Sequence, residues 1–201
     1  MTDTAAPQPS MPQGGVTHLP LFYVKQRIAL TVNRYEIRAA KADGSMGDVI
    51  AIAQQKRLAL KEQVTFYADE ARTTPVFSFK ARQVFDLAAV YDVWDAAGTP
   101  IGWFQKDFGK SLIRSSFHLV GYGVDALGQE RNEAIAIARR FIDLPFLFHF
   151  DFHDTQTMRP VMSSQKRFAL RDSYVITVPD ERLDFRLAAA MAVGLDTLMQ
   201  R

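Results

Sequence analysis

DERLDFRLAAAMAVGLDTLMQR, residues Asp180 to Arg201, is the stretch on which the fold turns. Its middle, Leu187 to Leu195, carries no charge. Ala, Leu and Met favour helix, Asp180 is placed to cap its start, and Pro179 marks a boundary upstream. A helix of about 20 residues would run roughly 30 Å. Leu183, Phe185, Leu187, Met191, Val193, Leu195, Leu198 and Met199 spread around the whole cylinder, so this helix has no polar face. Such a helix lies inside a protein or inside a membrane. The uncharged run between Arg186 and Asp196 is far short of the roughly 20 residues that a span needs, which favours burial in protein.

The rest of the chain has a different period. From Leu21 to Val178 apolar residues alternate, as in Val64-Thr65-Phe66-Tyr67, Val76 to Lys80, Val90 to Trp94, Ile101 to Phe104 and Phe146 to Phe152. Turn clusters separate these runs at Lys41 to Gly44, Asp69 to Pro75, Asp95 to Pro100 and Asp154 to Pro160, which predicts a series of β-hairpins. The hairpins echo one another. KQRIAL (Lys25 to Leu30), QKRLAL (Gln55 to Leu60) and QKRFAL (Gln165 to Leu170) share a pattern, and an Asp, a short turn ending in Pro, a strand and a Lys recur as a unit. A repeat of roughly 25 to 35 residues implies two strands per unit in an array or closed sheet. Gln129 to Asp143, acidic at its start and basic at its end, breaks the pattern and predicts one short helix over 129–142.

A helix that is apolar all round needs a container that is apolar all round. Closing the hairpins into a barrel supplies it and leaves no sheet edge exposed. The expected fold is therefore mainly β, a closed antiparallel barrel of about twelve strands around a buried hydrophobic C-terminal helix over 180–200. At 201 residues, 48% hydrophobic and 23% charged, the chain fits a single large domain, 21–201, behind a tail, 1–20. That tail is rich in Pro, Gln, Thr and Ser, has no signal-peptide pattern, and is expected to be disordered. The net charge of +2 is too small to argue by itself for nucleic acid or membrane, and the lack of cysteine excludes disulfides and thiolate chemistry, in keeping with a reducing cytosol.

FYVKQRIALTVNRYEI, QQKRLALKEQVTF, YDVWDAAGTPIGWFQKDFGKSLIRSSFHL and QKRFALRDSYVITVPDERLDFRLAAAMAVGLD together resemble the LURP-one-related branch of the tubby-like superfamily, which also includes the phospholipid scramblases. The resemblance spans nearly everything after Leu21 and implies a barrel threaded by its C-terminal helix. It also implies contact with anionic lipid, since tubby proteins bind phosphoinositide head groups through basic barrel residues. Scrambling is not implied, because Asp184, Arg186 and Asp196 interrupt the terminal helix and no carboxylate-rich calcium loop is present.

Three constellations carry candidate chemistry. Lys56, Arg57 and Lys61, Lys80 and Arg82, Lys106, Lys110 and Arg114, and Lys166, Arg167 and Arg171 recur with the repeat and would form a belt that attracts lipid phosphate. The alternative is that they are solvated strand ends paired with neighbours such as Glu62, Asp107 or Asp172. His149, Asp151 and His153 alternate along one strand and so share a face, which is the ligand set of some iron and zinc sites. With Phe148, Phe150 and Phe152 facing inward, those three polar residues would look outward. Gly121-Tyr122-Gly123 has the wrong spacing for a dinucleotide loop and reads as a turn.

Asp196, late in a buried helix, calls for an Arg or water as partner, unless the last turn frays into solvent. The leading expectation is a non-enzymatic cytosolic binding or scaffold protein, without cofactor or transmembrane segment. It would meet anionic phospholipid head groups at the inner membrane surface. A metal-dependent enzyme and a protein-interaction module are the alternatives.

Overall fold

The computed structural model describes residues 15, 17–28, 32–56, 63–82, 89–107, 116–131, 149–167 and 173–199. The first six strands are β1 (Leu21–Ile28), β2 (Val32–Ala40), β3 (Met46–Lys56), β4 (Val64–Tyr67), β5 (Pro75–Ala81) and β6 (Val90–Asp95). They are followed by β7 (Pro100–Asp107), β8 (Ser116–Gly121), β9 (Val124–Glu130), β10 (His149–Asp154), β11 (Pro160–Lys166) and β12 (Ser173–Thr177). Each pairs antiparallel with its neighbours in sequence, and β1 also pairs with β12, so the twelve strands close into a barrel. Closure satisfies the backbone donors and acceptors that a sheet edge would leave open.

Alternation sorts the side chains. In β10, Phe150 and Phe152 are buried while His149, Asp151 and His153 are partly exposed on the outside. Phe22, Tyr35, Ile37, Phe66, Phe77, Phe79, Phe104 and Phe117 line the interior in the same way. The outer wall carries Arg34, Arg38, Lys80 and Asp151, so apolar inside and charged outside is the reverse of a membrane-spanning barrel.

The interior is filled by helix α1 (Phe185–Met199), buried on every side from Leu187 to Asp196. Its small residues make this possible. Ala188, Ala189, Ala190, Ala192 and Gly194 keep the helix slender, and the large rings of the wall take up the remaining space. Phe66 stacks on Phe77 with centroids 4.3 Å apart, and Tyr91 on Phe104 at 5.0 Å. Among the described residues no helix is long and apolar enough to cross a membrane.

The hairpin turns between β2 and β3, β4 and β5, β6 and β7, β8 and β9, and β10 and β11 gather at one rim, where α1 begins. Three turns share a device that explains the repeated Asp-to-Pro unit. Asp69, Asp95 and Asp154 each accept backbone N–H groups of their own turn, from Thr73 and Thr74, from Ala97 and Thr99, and from Gln156 and Thr157. Each turn then returns through Pro75, Pro100 or Pro160 across a β-bulge.

Three expectations need correction. The helix cap is Asp184, not Asp180: its Oδ1 accepts the Arg186 N–H at 2.9 Å, and its backbone carbonyl accepts the first helical bond from Ala188. Asp180 instead closes the preceding turn by accepting the Arg182 N–H. The expected tail is not free over its last residues. Thr17 donates its N–H to Asp184 and accepts that of Phe185, and His18 donates to the Val178 carbonyl. The short helix expected over 129–142 does not include its first three positions, because Gln129 and Glu130 complete β9 against β8 and β10, and Arg131 continues by donating its N–H to the His149 carbonyl. Positions 132–142 lie outside the described residues, as do 1–14 of the tail.

Candidate anion-binding site

Strand direction decides where the recurrent basic residues go. In a closed meander alternate strands run the same way, so β3, β5, β7 and β11 all end at one rim, opposite the hairpin turns. Lys56 ends β3, Arg82 follows β5, Lys106 is next to last in β7, and Lys166 ends β11 with Arg167 after it. The repeated KQR and QKR motifs therefore mark strands that leave by the same mouth, the one where α1 ends. Arg57, Lys61, Lys110, Arg114 and Arg171 lie outside the described residues.

The described cations at this rim do not form one belt. Lys80 is exposed on the outer wall, and Arg82 forks onto Asp92 at 2.7 and 2.6 Å with its guanidinium 6.0 Å from the Trp103 ring. Lys106 points inward and donates to the Leu198 carbonyl at 3.4 Å, supplying positive charge at a helix end whose last turn has none. Lys166 also points inward, its Nζ 5.6 Å from the Tyr174 ring. Arg167 faces outward over Tyr23 at 5.8 Å. Odd and even positions face opposite ways on a strand, so a recurrent motif whose cations sit at both parities divides between wall and mouth.

Below Lys106 and Lys166 lies the answer to Asp196. It is 3% exposed, so the last turn is not frayed there, and two tyrosines bond its carboxylate. Tyr174 donates to Oδ1, and Tyr35 donates to Oδ2 at 3.1 Å. Gln26 donates to the Tyr35 oxygen at 3.2 Å. Burial, with the Asp196 charge beside it, pushes the Tyr35 phenol well above its usual range, so it remains a donor.

His149, Asp151 and His153 share the outer face of β10 as expected, yet the carboxylate is already engaged. Arg131 donates Nε and Nη2 to the two oxygens of Asp151, both at 2.6 Å. That fork holds the Asp151 carboxyl below its usual range, and burial together with the Arg131 charge lowers the His149 imidazole. Among the described residues no group of three His, Asp or Glu side chains could hold a metal. A cavity of about 480 Å³ lies beside the fork, bordered by Leu127, Gln129, His153 and Met158.

A denser cationic surface lies on the outer wall of β1 and β2, at residues outside the expected belt, although Lys25 and Arg27 belong to the recurrent KQRIAL segment. Glu36 is 2% exposed and carries three guanidinium groups: Arg27 at 3.2 Å, Arg34 at 3.3 Å and Arg38 at 2.9 Å. Burial alone would raise its carboxyl, but the bond from Arg38 and the charges of Arg27, Arg38 and Arg34 hold it low. Lys25 lies directly across from Glu36, and Arg27 directly across from Arg34. Arg34 also forks onto Glu70, donating Nη1 at 2.8 Å and Nη2 to the other oxygen. The signal was present as alternation, Lys25-x-Arg27 and Arg34-x-Glu36-x-Arg38, which puts all five groups on one face once both segments are strands.

The molecule is thus a closed antiparallel barrel filled by its own C-terminal helix, with cations concentrated at the helix-exit rim and on one wall. No protein-family model and no curated protein matches this chain.

Proposed function

We propose that this protein is a non-enzymatic binding or scaffold barrel of the LURP-one-related, tubby-like kind, and that its helix-exit rim meets anionic phospholipid at the inner membrane surface. The carrying observation is strand direction: β3, β5, β7 and β11 each carry a basic residue at or next to their last position, and all four end at the same rim. Lys56 closes β3, Lys80 is next to last in β5 and Arg167 follows β11, while Arg57 and Lys61 come shortly after β3 in sequence. Each lysine or arginine brought to an anionic lipid surface gains about 1 kcal/mol near the membrane. The charges inside the mouth serve the helix instead, through Leu198 and Tyr174, and so do not compete for lipid. The engagement of Asp151 by Arg131 favours this reading over a metal-dependent enzyme.

Co-sedimentation with phosphatidylcholine vesicles of graded phosphatidylserine content tests the proposal. Binding is expected to rise with anionic fraction, to weaken from low to physiological salt, and to fall when Lys56, Arg57, Lys61 and Lys80 are changed together to Gln. Absence of binding at both salts, or binding indifferent to the four changes, overturns it in favour of a protein-interaction module.

A further inference from the structure

The wall around Glu36 is built unlike an ordinary charged surface. Arg27 and Arg34 stand directly opposite each other on neighbouring strands, a like-charge arrangement that is normally destabilising. A single buried carboxylate offsets them and Arg38 together, leaving an excess of positive charge even when the exposed Glu70 is counted. Lys25, opposite Glu36, adds a further cation on the same face, and Arg167 extends the row across β12, because Ser173 pairs with Lys25 and Arg167 donates its N–H to Ser173. Glu36 therefore does not neutralise the wall; it fixes the positions of its arginines.

We propose that this wall is a docking surface for an acidic segment of a protein partner, an extended chain whose carboxylates seat on Arg27, Arg34, Lys25 and Arg38. The backbones of Arg34 and Arg38, four residues apart on one strand, are separated by about 13 Å, while their guanidinium groups and that of Arg27 lean in on Glu36. Glu36 already fills the point on which the three groups converge, so a lone phosphate would meet a like charge there, whereas the carboxylates of an extended chain can seat one by one on outward N–H groups, as Glu70 does on Arg34. The structure already shows one such seat in use. Glu70, 72% exposed at the tip of the β4–β5 turn, places its carboxylate in the Arg34 fork. An exposed ion pair of this kind contributes little, so an incoming carboxylate can replace it. Arg27, 59% exposed, directs its side chain to Glu36 from the solvent side and is open to a second anion.

The test uses the full chain and a fluorescent synthetic peptide of alternating Glu and Thr, followed by anisotropy at low and physiological salt. Saturable binding that weakens with salt is expected, and Lys25→Gln with Arg27→Gln should weaken it about tenfold or more, since each change removes a charged donor. Glu70→Gln, in an exposed turn, should strengthen binding by vacating the Arg34 fork. No binding, or binding unchanged in both variants, overturns the proposal. So does displacement of the peptide by inorganic phosphate at equal charge, or by vesicles whose own binding is lost with Lys25 and Arg27, since either makes the wall a phosphate surface. The rim changes Lys56→Gln and Lys80→Gln should leave peptide binding intact, which separates this result from the fate of the lipid proposal.

Discussion

Tyr174, on the barrel wall, donates its phenolic hydrogen bond to Asp196, the one charged residue in the second half of the core helix. With Tyr35 on the other oxygen, two strands from opposite ends of the chain grip the helix by a single buried carboxylate. Tyr174→Phe keeps the ring and removes one donor. Loss of about 1–3 kcal/mol of stability is expected in urea unfolding, and the double change with Tyr35→Phe should depart from additivity because both act on one acceptor.

Gly194 sets two opposing effects against each other. Alanine there would gain about 1 kcal/mol of helix propensity. Its Cβ, however, would stand 2.5 Å from Cε2 of Phe104, a ring stacked on Tyr91 and packed against Phe79. Overpacking of this kind costs about 1–3 kcal/mol, so Gly194→Ala should destabilise the protein. Adding Phe104→Leu should recover part of the loss, and thermal unfolding of the three variants measures the balance.

Met158 takes a left-handed backbone, φ 58°, at the β10–β11 turn with its side chain 69% exposed. Glycine would relieve about 1–2 kcal/mol of that conformational cost and lose about 0.5–1 kcal/mol to its freer unfolded chain. Met158→Gly should therefore be neutral to slightly stabilising, and Met158→Val destabilising. Reversal of that order in urea midpoints would refute the turn geometry.

Asp154 is held down to about 2 by the backbone and hydroxyl of Thr157, with Arg182 adding a further bond. Because its folded value lies below the ordinary 3.8, the unfolded chain takes up the proton first as pH falls. Its contribution is complete above 3.8 and is lost between 3.8 and about 2. Asp154→Asn should lower stability at neutral pH and flatten this part of the acid limb in urea unfolding followed against pH.

Removing Leu183 onward would leave Phe22, Phe77 and Phe104 facing a hollow interior. The truncated chain should aggregate or bind a hydrophobic dye and lose cooperative unfolding. A soluble truncation that melts cooperatively would contradict the role of α1 as the core.

The barrel was legible because its signals are local. Alternation between Leu21 and Val178, the Asp-to-Pro turns and the stripe-free helix each depend on residues near one another, and together they admit a closed sheet around a helix. Short-range uncertainty is what misplaced the cap: Asp180 and Asp184 are both good capping residues, and the packing of Thr17 against Asp184 and Phe185 selects the second.

The candidate sites depended on more than local pattern. The sequence alone determined which residues alternate, where the turns fall and that the terminal helix must be enclosed, because these follow from backbone periodicity and side-chain polarity. Tertiary structure alone decided that Asp196 meets tyrosines 161 and 22 residues away, that the repeated cations divide between mouth and wall, and that Lys25 and Arg27 join Arg34 and Arg38 around Glu36. Those relationships are set by register and closure, and a register shift of one residue would turn every one of these side chains to the other face.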